Sequence, residues 1–152
     1  DGDGPFSPAR AGNVPMGDLV KLCFSGKYTK KEVCQMITTK GGLYAYMGTH
    51  DGYIVDNKAK NGDEKAQFNL RALAYQTAKN VGSMYAVLKG EVDAILLTGG
   101  LTQSKFIMDE LLDRIKTFAP CHTYSSEDDV ETLALNGYYI LQGDLEAIEY
   151  PY

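Results

Sequence analysis

Val92-Asp93-Ala94-Ile95-Leu96-Leu97-Thr98 is a nearly continuous apolar run, and Gly99-Gly100 follows it at once. A strand with one wet face alternates polar and apolar residues. A run without that alternation reads as a strand buried on both faces, the habit of a parallel sheet. A helix is expected after the glycines, over residues 104–118, with Phe106, Ile107, Leu111, Leu112 and Ile115 facing inward. Beyond Pro120, His122-Thr123-Tyr124 gives a short second strand. Ser125 or Ser126 then caps a last helix whose stripe includes Val130, Leu133, Ala134, Gly137, Tyr138 and Leu141. Strand, Gly-Gly turn, helix, strand, helix is an α/β unit, so the expected fold class is α/β.

The preceding residues are helical in pattern. Residues 1–15 hold three glycines and three prolines and read as loop. Asp18 opens a short apolar helix ended by Gly26. Thr29 caps the next, with Glu32 three residues on completing a capping box, Val33, Met36 and Ile37 inward, and a stop before Gly41-Gly42. Residues 43–47 fit strand or loop equally. A further helix runs from near Thr49 to Asn61-Gly62. Asp63 caps the longest element, residues 64–88, where Ala66, Leu70, Leu73, Ala74, Thr77, Ala78, Val81, Met84, Tyr85 and Leu88 recur at intervals of three and four. Residues 145–152 form a tail not expected to be structured on its own.

The 152 residues suit one domain. A net charge of −5 argues against a nucleic-acid footprint, which shows clustered Lys and Arg on a basic domain. Three cysteines, with no CxxC spacing, argue against a disulfide framework or a zinc ribbon and fit a reducing compartment. Those cysteines read most simply as core residues. No apolar run approaches the roughly 18 residues that cross a bilayer, and no signal peptide opens the chain. A soluble, cytoplasmic protein without nucleic-acid or membrane partners is the expectation.

Several residues are candidates for chemistry. Gly99-Gly100 lies at the carboxyl end of a buried strand, where open α/β sheets bind ligands. Glycines there let a ligand lie against bare backbone, and the helix beyond adds N–H donors. The bland alternative is a turn that only reverses the chain. Arg10 stands in the Gly/Pro-rich loop, either as a solvated surface arginine or as a planar fork for phosphate or carboxylate. The acidic tract Glu127-Asp128-Asp129 with Glu131 either complements a helix dipole or holds Mg²⁺. His50 and His122 read as structural or surface histidines.

Several stretches together closely resemble butyrate kinases. Asp3-Gly4-Pro5-Phe6-Ser7-Pro8 with Arg10 and Gly12, and Leu22-Cys23-Phe24-Ser25-Gly26-Lys27-Tyr28-Thr29, come first. Lys40-Gly41-Gly42-Leu43, Gly62-Asp63-Glu64-Lys65-Ala66, Ala74-Tyr75-Gln76, and Val92-Asp93-Ala94-Ile95 running into Thr98-Gly99-Gly100 follow in the same order. The likeness spans nearly the whole chain. It is to the C-terminal half of the acetate/butyrate kinase family, in the actin-like ATPase superfamily.

The resemblance implies one lobe of a ribonuclease-H-like fold, with a mixed or parallel sheet and packed helices. Residues 1–152 would form a single C-terminal nucleotide-binding lobe, with residues 1–15 as the entry to a catalytic loop. It implies transfer of a phosphoryl group between ATP and a short-chain carboxylate, giving an acyl phosphate and ADP, with Mg²⁺. Arg10 falls where the family carries a catalytic arginine. Gly99, Gly100, Leu101, Thr102, Gln103 and Ser104 match its adenosine motif. Asp51 matches the first residue of an Asp-x-Arg nucleotide contact whose arginine is replaced here by Tyr53, and Asp128 lies near a metal-linked carboxylate, with Asp129 as alternative. The family's phosphate hairpin, second phosphate motif, second catalytic arginine and carboxylate pocket belong to its N-terminal half. The implied partners are therefore that N-terminal lobe, the nucleotide, the carboxylate and a second copy, and the chain alone is expected to lack turnover. The rival readings are a non-catalytic nucleotide-binding or assembly module, and a lobe of another actin-like carboxylate or sugar kinase.

Overall fold

The computed structural model describes residues 3–124 and 129–149. The order is α1 (Met16–Cys23), α2 (Lys30–Thr38), α3 (Gly42–Met47), α4 (Gly52–Lys60), α5 (Glu64–Val87), β1 (Ile95–Leu97), a 3₁₀ turn (Gly100–Gln103), α6 (Lys105–Ile115), β2 (Cys121–Thr123) and α7 (Asp129–Gln142).

The longest helix organises the rest. Asp63 Oδ1 accepts from the Ala66 N–H at 3.0 Å and starts α5. Ala66, Leu70, Leu73, Ala74 and Ala78 then bury one face of it. The alanines leave room for neighbouring helices to come close. Val55 and Ala59 of α4, Leu43 of α3, and Ile107, Leu111 and Ile115 of α6 complete one core cluster with them. The stripe leaves that core before its end: Met84 and Leu88 are 55% and 52% exposed and line an apolar groove with Val92 and Ile95.

The strand departs from expectation. It is three residues long and pairs in parallel with β2, Ile95 opposite Cys121 and Leu97 opposite Thr123, in a sheet of two strands among the described residues. Ile95 and Leu97 pack against the core, but Leu96 is 64% exposed. Helices cover one face of this sheet and nothing described covers the other, so the run is not buried on both faces. The stripe of α7 is likewise uncovered, with Leu133 71% and Leu141 87% exposed. Ser125 and Ser126, the expected caps of that helix, lie outside the described residues.

Residues 43–47 fall in the helix α3, ended by Gly48 in the left-handed conformation. A segment of this length is too short for periodicity to separate helix from strand. Helix α1 begins at Met16, two residues before Asp18, with Asp18 in its first turn and none of its residues buried. Cys23 and Cys34 are exposed rather than in the core. Helix α2 starts as expected: Thr29 and Glu32 form a reciprocal capping box.

The entry loop is held by main chain. Leu43 N donates to Ser7 O at 3.1 Å, Tyr44 N to Pro8 O at 3.0 Å, Gly41 N to Ala9 O at 2.9 Å, and Ala11 N to Ile37 O at 2.9 Å. Gly41 and Gly42 permit this approach: a Cβ on Gly41 would lie 2.5 Å from Ala11 N, and one on Gly42 1.8 Å from Ser7 O. Gly42 also has φ +55°, which disfavours a side chain. The clamp sets the loop beside the core, where Phe6 is buried and meets the Tyr46 ring edge-on.

Gly42→Ala is expected to destabilise by at least about 2 kcal/mol, since backbone clash and positive φ act together. Gly137→Ala, on the open surface of α7, should stabilise by about 0.5–1 kcal/mol; urea denaturation of both variants checks the contrast. The Thr29 N–H, then the Thr29 hydroxyl, hold the Glu32 carboxyl below the ordinary 4.5. Its contribution is therefore present above pH 4.5 and is lost as pH falls through the lower folded value. Stability curves of Glu32→Gln should be flatter than wild type in that acidic window.

Candidate functional site

After β1 the chain passes Thr98 and enters the 3₁₀ turn. Gly99 has φ 96° and ψ 165°, a region open essentially only to glycine. Thr102 closes the turn by donating to Gly99 O from both its N–H, at 3.0 Å, and its Oγ1, at 2.7 Å. Ser104 N donates to Leu101 O at 3.1 Å, and the Ser104 hydroxyl caps α6 by accepting from Ile107 N at 3.2 Å.

The facing wall is the start of α4. Asp51 Oδ1 accepts from Tyr53 N at 2.9 Å and Ile54 N at 3.3 Å, capping that helix. Gly52 lets the walls meet at its base, where an added Cβ would lie 2.9 Å from Leu101 Cδ2. Between the walls lies a cleft of about 480 Å³ lined by Asp51, Gly52, Tyr53, Asp56 and Lys60 on one side and Gly100, Leu101, Gln103 and Ser104 on the other, with Pro8 at its edge.

The structure thus brings together Asp51, Gly100, Leu101, Gln103 and Ser104, from stretches about fifty residues apart. Gly99 and Thr102 shape the turn and are not among the lining residues. Arg10 is exposed two positions beyond Pro8, in a turn where Ser7 N donates to Arg10 O at 3.1 Å and Arg10 N to Ser7 Oγ at 2.9 Å. Asp128 lies outside the described residues, and nothing is described of the Asp129 side chain. Among the described residues no three His, Cys, Asp or Glu side chains group to hold a metal ion. His50 is an exposed residue stacked on Tyr44, with ring centroids 5.8 Å apart.

Sequence reasoning missed Asp56 and Lys60. Asp56 is 3% exposed. The Ser104 hydroxyl donates to its Oδ1, and Lys60 Nζ lies 2.5 Å from its Oδ2. The i,i+4 spacing of Asp56 and Lys60 on α4 was a readable signal for the ion pair. Nothing in spacing announces Ser104, 48 positions away.

These details decide what the cleft suits. The N–H donors expected at the helix starts are partly taken, since Asp51 and Ser104 cap α4 and α6 themselves. Two carboxylates, Asp51 and Asp56, stand against one ammonium, Lys60. Such walls repel a phosphate and suit a flat, neutral, polar group against bare backbone at Gly100, with the exposed ring of Tyr53 at the cleft wall.

Residues 3–122 match the acetokinase family. The chain is 47% identical over 150 residues to butyrate kinase 1 of Clostridium acetobutylicum, covering 99% of this chain and 42% of that protein. It is 45% identical over 145 residues to a probable butyrate kinase of Bacteroides thetaiotaomicron, covering 95% and 41%. The chain therefore spans about two-fifths of the length of the curated relatives it matches. Among solved structures it superposes on a propionate kinase from Francisella tularensis with TM-score 0.72 and 18% identity, over 82% of this chain and 38% of that one. It superposes on the acetate kinase of Porphyromonas gingivalis with TM-score 0.69 and 20% identity, over 91% and 41%. The shared fold is the actin-like ATPase type expected from the sequence, α/β with a small parallel sheet and packed helices. On the match over residues 3–122, carried by that fold, the chain belongs to the acetokinase family.

Proposed function

We infer that this chain is the C-terminal, adenosine-side lobe of a butyrate kinase. The observation that carries the reading is the cleft itself: a backbone wall at Gly100–Ser104, at the carboxyl end of β1, faces Asp51–Lys60 across a space suited to a neutral, flat, polar group. Adenosine is such a group. Its phosphates would project past the cleft edge marked by Pro8, towards the loop that carries Arg10.

In the proposed reaction a carboxylate oxygen attacks the γ-phosphorus of ATP. The bond from that phosphorus to the bridging oxygen breaks, ADP leaves with the electron pair, and an acyl phosphate forms; the reverse makes ATP. Catalysis of such a transfer rests on positioning and on neutralising charge spread over the phosphoryl oxygens. Arg10 supplies that charge in this reading. Its loop is suited to the task because main-chain hydrogen bonds to the Gly41–Tyr44 segment fix its course. Mg²⁺ enters as part of the Mg-nucleotide substrate, with Asp128 as the proposed carboxylate near it.

The N-terminal lobe of the same enzyme would supply the remaining phosphate contacts and the short-chain carboxylate site. The uncovered apolar side chains of α1 and α7 support association with that lobe and with a second copy, since patches of this kind mark interaction surfaces. Among the described residues no helix is long and apolar enough to cross a membrane, and a cytoplasmic enzyme is the proposed setting.

Calorimetric titration with Mg-ADP tests the seat. Gly100 has open space where a Cβ would lie, so Gly100→Val should fold normally and obstruct only the cleft. Binding by the parent chain that is lost in the variant is the expected result; equal binding by both would remove the glycine turn from the site. In the full-length enzyme Arg10→Ala should lower turnover by about a hundredfold or more while leaving ADP affinity nearly unchanged. A negligible rate effect would remove Arg10 and favour a non-catalytic module. The 152-residue chain alone should form no acyl phosphate, and substantial formation by pure protein would overturn the assignment of half a site.

A further inference from the structure

Asp56 is the one charged side chain buried among the described residues. A buried carboxylate is costly unless paired and hydrogen-bonded, and here Ser104 Oγ serves Oδ1 while Lys60 Nζ serves Oδ2. Burial of this kind is weak evidence for stability, because an apolar pair of similar volume holds two helices equally well. What a directional bond adds is orientation.

We propose that Asp56 is a positioning residue for the nucleotide: through Ser104 it locks the Gly100–Ser104 turn to α4 and fixes the separation of the two cleft walls. The inference rests on the reading of the cleft as the adenosine seat. One residue makes three connections. Ser104 Oγ donates to Asp56 on α4 and accepts from Ile107 N on α6 at 3.2 Å, and its residue closes the 3₁₀ turn through the bond from Ser104 N to Leu101 O at 3.1 Å. Gly52 and Leu101 bring the two walls together beside this lock, where an added Cβ on Gly52 would lie 2.9 Å from the side-chain atom Leu101 Cδ2. A shift of the turn therefore changes the width available to a flat ligand. Lys60, with half of its side chain exposed at the cleft wall, offsets the Asp56 charge on the ligand's side. The wall thus presents a paired carboxylate to the base and ribose.

The test uses the full-length enzyme carrying this sequence, with nucleotide KM and kcat measured for Asp56→Ala, Ser104→Ala and the double variant. Each single change should raise nucleotide KM about tenfold and raise it more than it lowers kcat. Both act through one bond, so the double variant should be little worse than the worse single, a non-additivity that separate roles would not give. Ser104→Thr retains the hydroxyl and should recover most of the loss. Folded Asp56→Ala or Ser104→Ala enzyme with wild-type nucleotide KM would overturn the proposal, as would effects that simply multiply in the double variant. Should Asp56→Ala fail to fold, Ser104→Ala and Ser104→Thr decide the matter, and equal KM in the two overturns it. A wild-type enzyme that neither binds nor turns over the nucleotide would instead overturn the adenosine seat on which the inference stands.

Discussion

The buried face of α5 is the constraint on which the rest depends. A helix of 24 residues can hold several neighbours only if its contact face stays thin, and Ala66, Ala74 and Ala78 keep it so between the larger Leu70 and Leu73. Helices α4 and α6 lie against this face, so the distance between them is set by what α5 places underneath. The cleft opens above that seam. Beside the polar lining, Val55 and Ala59 of α4 and Ile107 of α6 belong to the hydrophobic core, so the helices that carry the walls inherit the rigidity of close packing rather than the mobility of loops.

Charge is arranged on top of that frame in an economical way. Both helix starts that border the cleft are partly satisfied by their own side chains, Asp51 and Ser104, which reduces the pull they exert on an anion. The result is a wall better suited to an uncharged group than to an anion. The Arg10 loop is held chiefly by main-chain hydrogen bonds to the Gly41–Tyr44 segment and Ile37, with Ser7 Oγ accepting from Ala9 N and Arg10 N inside the turn. Seat and loop are thus positioned by independent means, one by the α4–α6 seam and the other by the paired glycines ahead of α3.

Much of the fold was legible in the sequence because its signals are local. The Thr29–Glu32 box, the Asp63 cap and the three-and-four spacing along α5 each involve residues within one or two turns, and each appears where expected. The Gly99-Gly100 turn was also readable, since a strand, a glycine pair and a helix in succession leave few alternatives. What failed to show was long-range or concerned exposure. The apolar run of β1 resembles a doubly covered strand, yet cover is a property of the surroundings: Leu96 carries the same hydrophobicity as Leu97 and lies open. The bond of Asp56 to Ser104 had no signal in the sequence, because Ser104 lies 48 positions away and comes near only in the folded chain. The exposed Cys23 and Cys34 make the same point, since an apolar neighbourhood in sequence did not become one in space.

The glycine pair at 41 and 42 carries a consequence for how such a loop can change. Its neighbours are gripped through peptide groups, so the course of residues 9–11 does not depend on their own side chains, while Ser7 Oγ adds bonds from Ala9 N and Arg10 N. Chemistry on that loop can be rewritten residue by residue without moving its frame. The two glycines enjoy no such latitude, because the addition of a single carbon atom at either closes the space into which the loop is set. Variation and rigidity are in this way assigned to opposite sides of one contact, and the side with no side chains is the one that cannot vary.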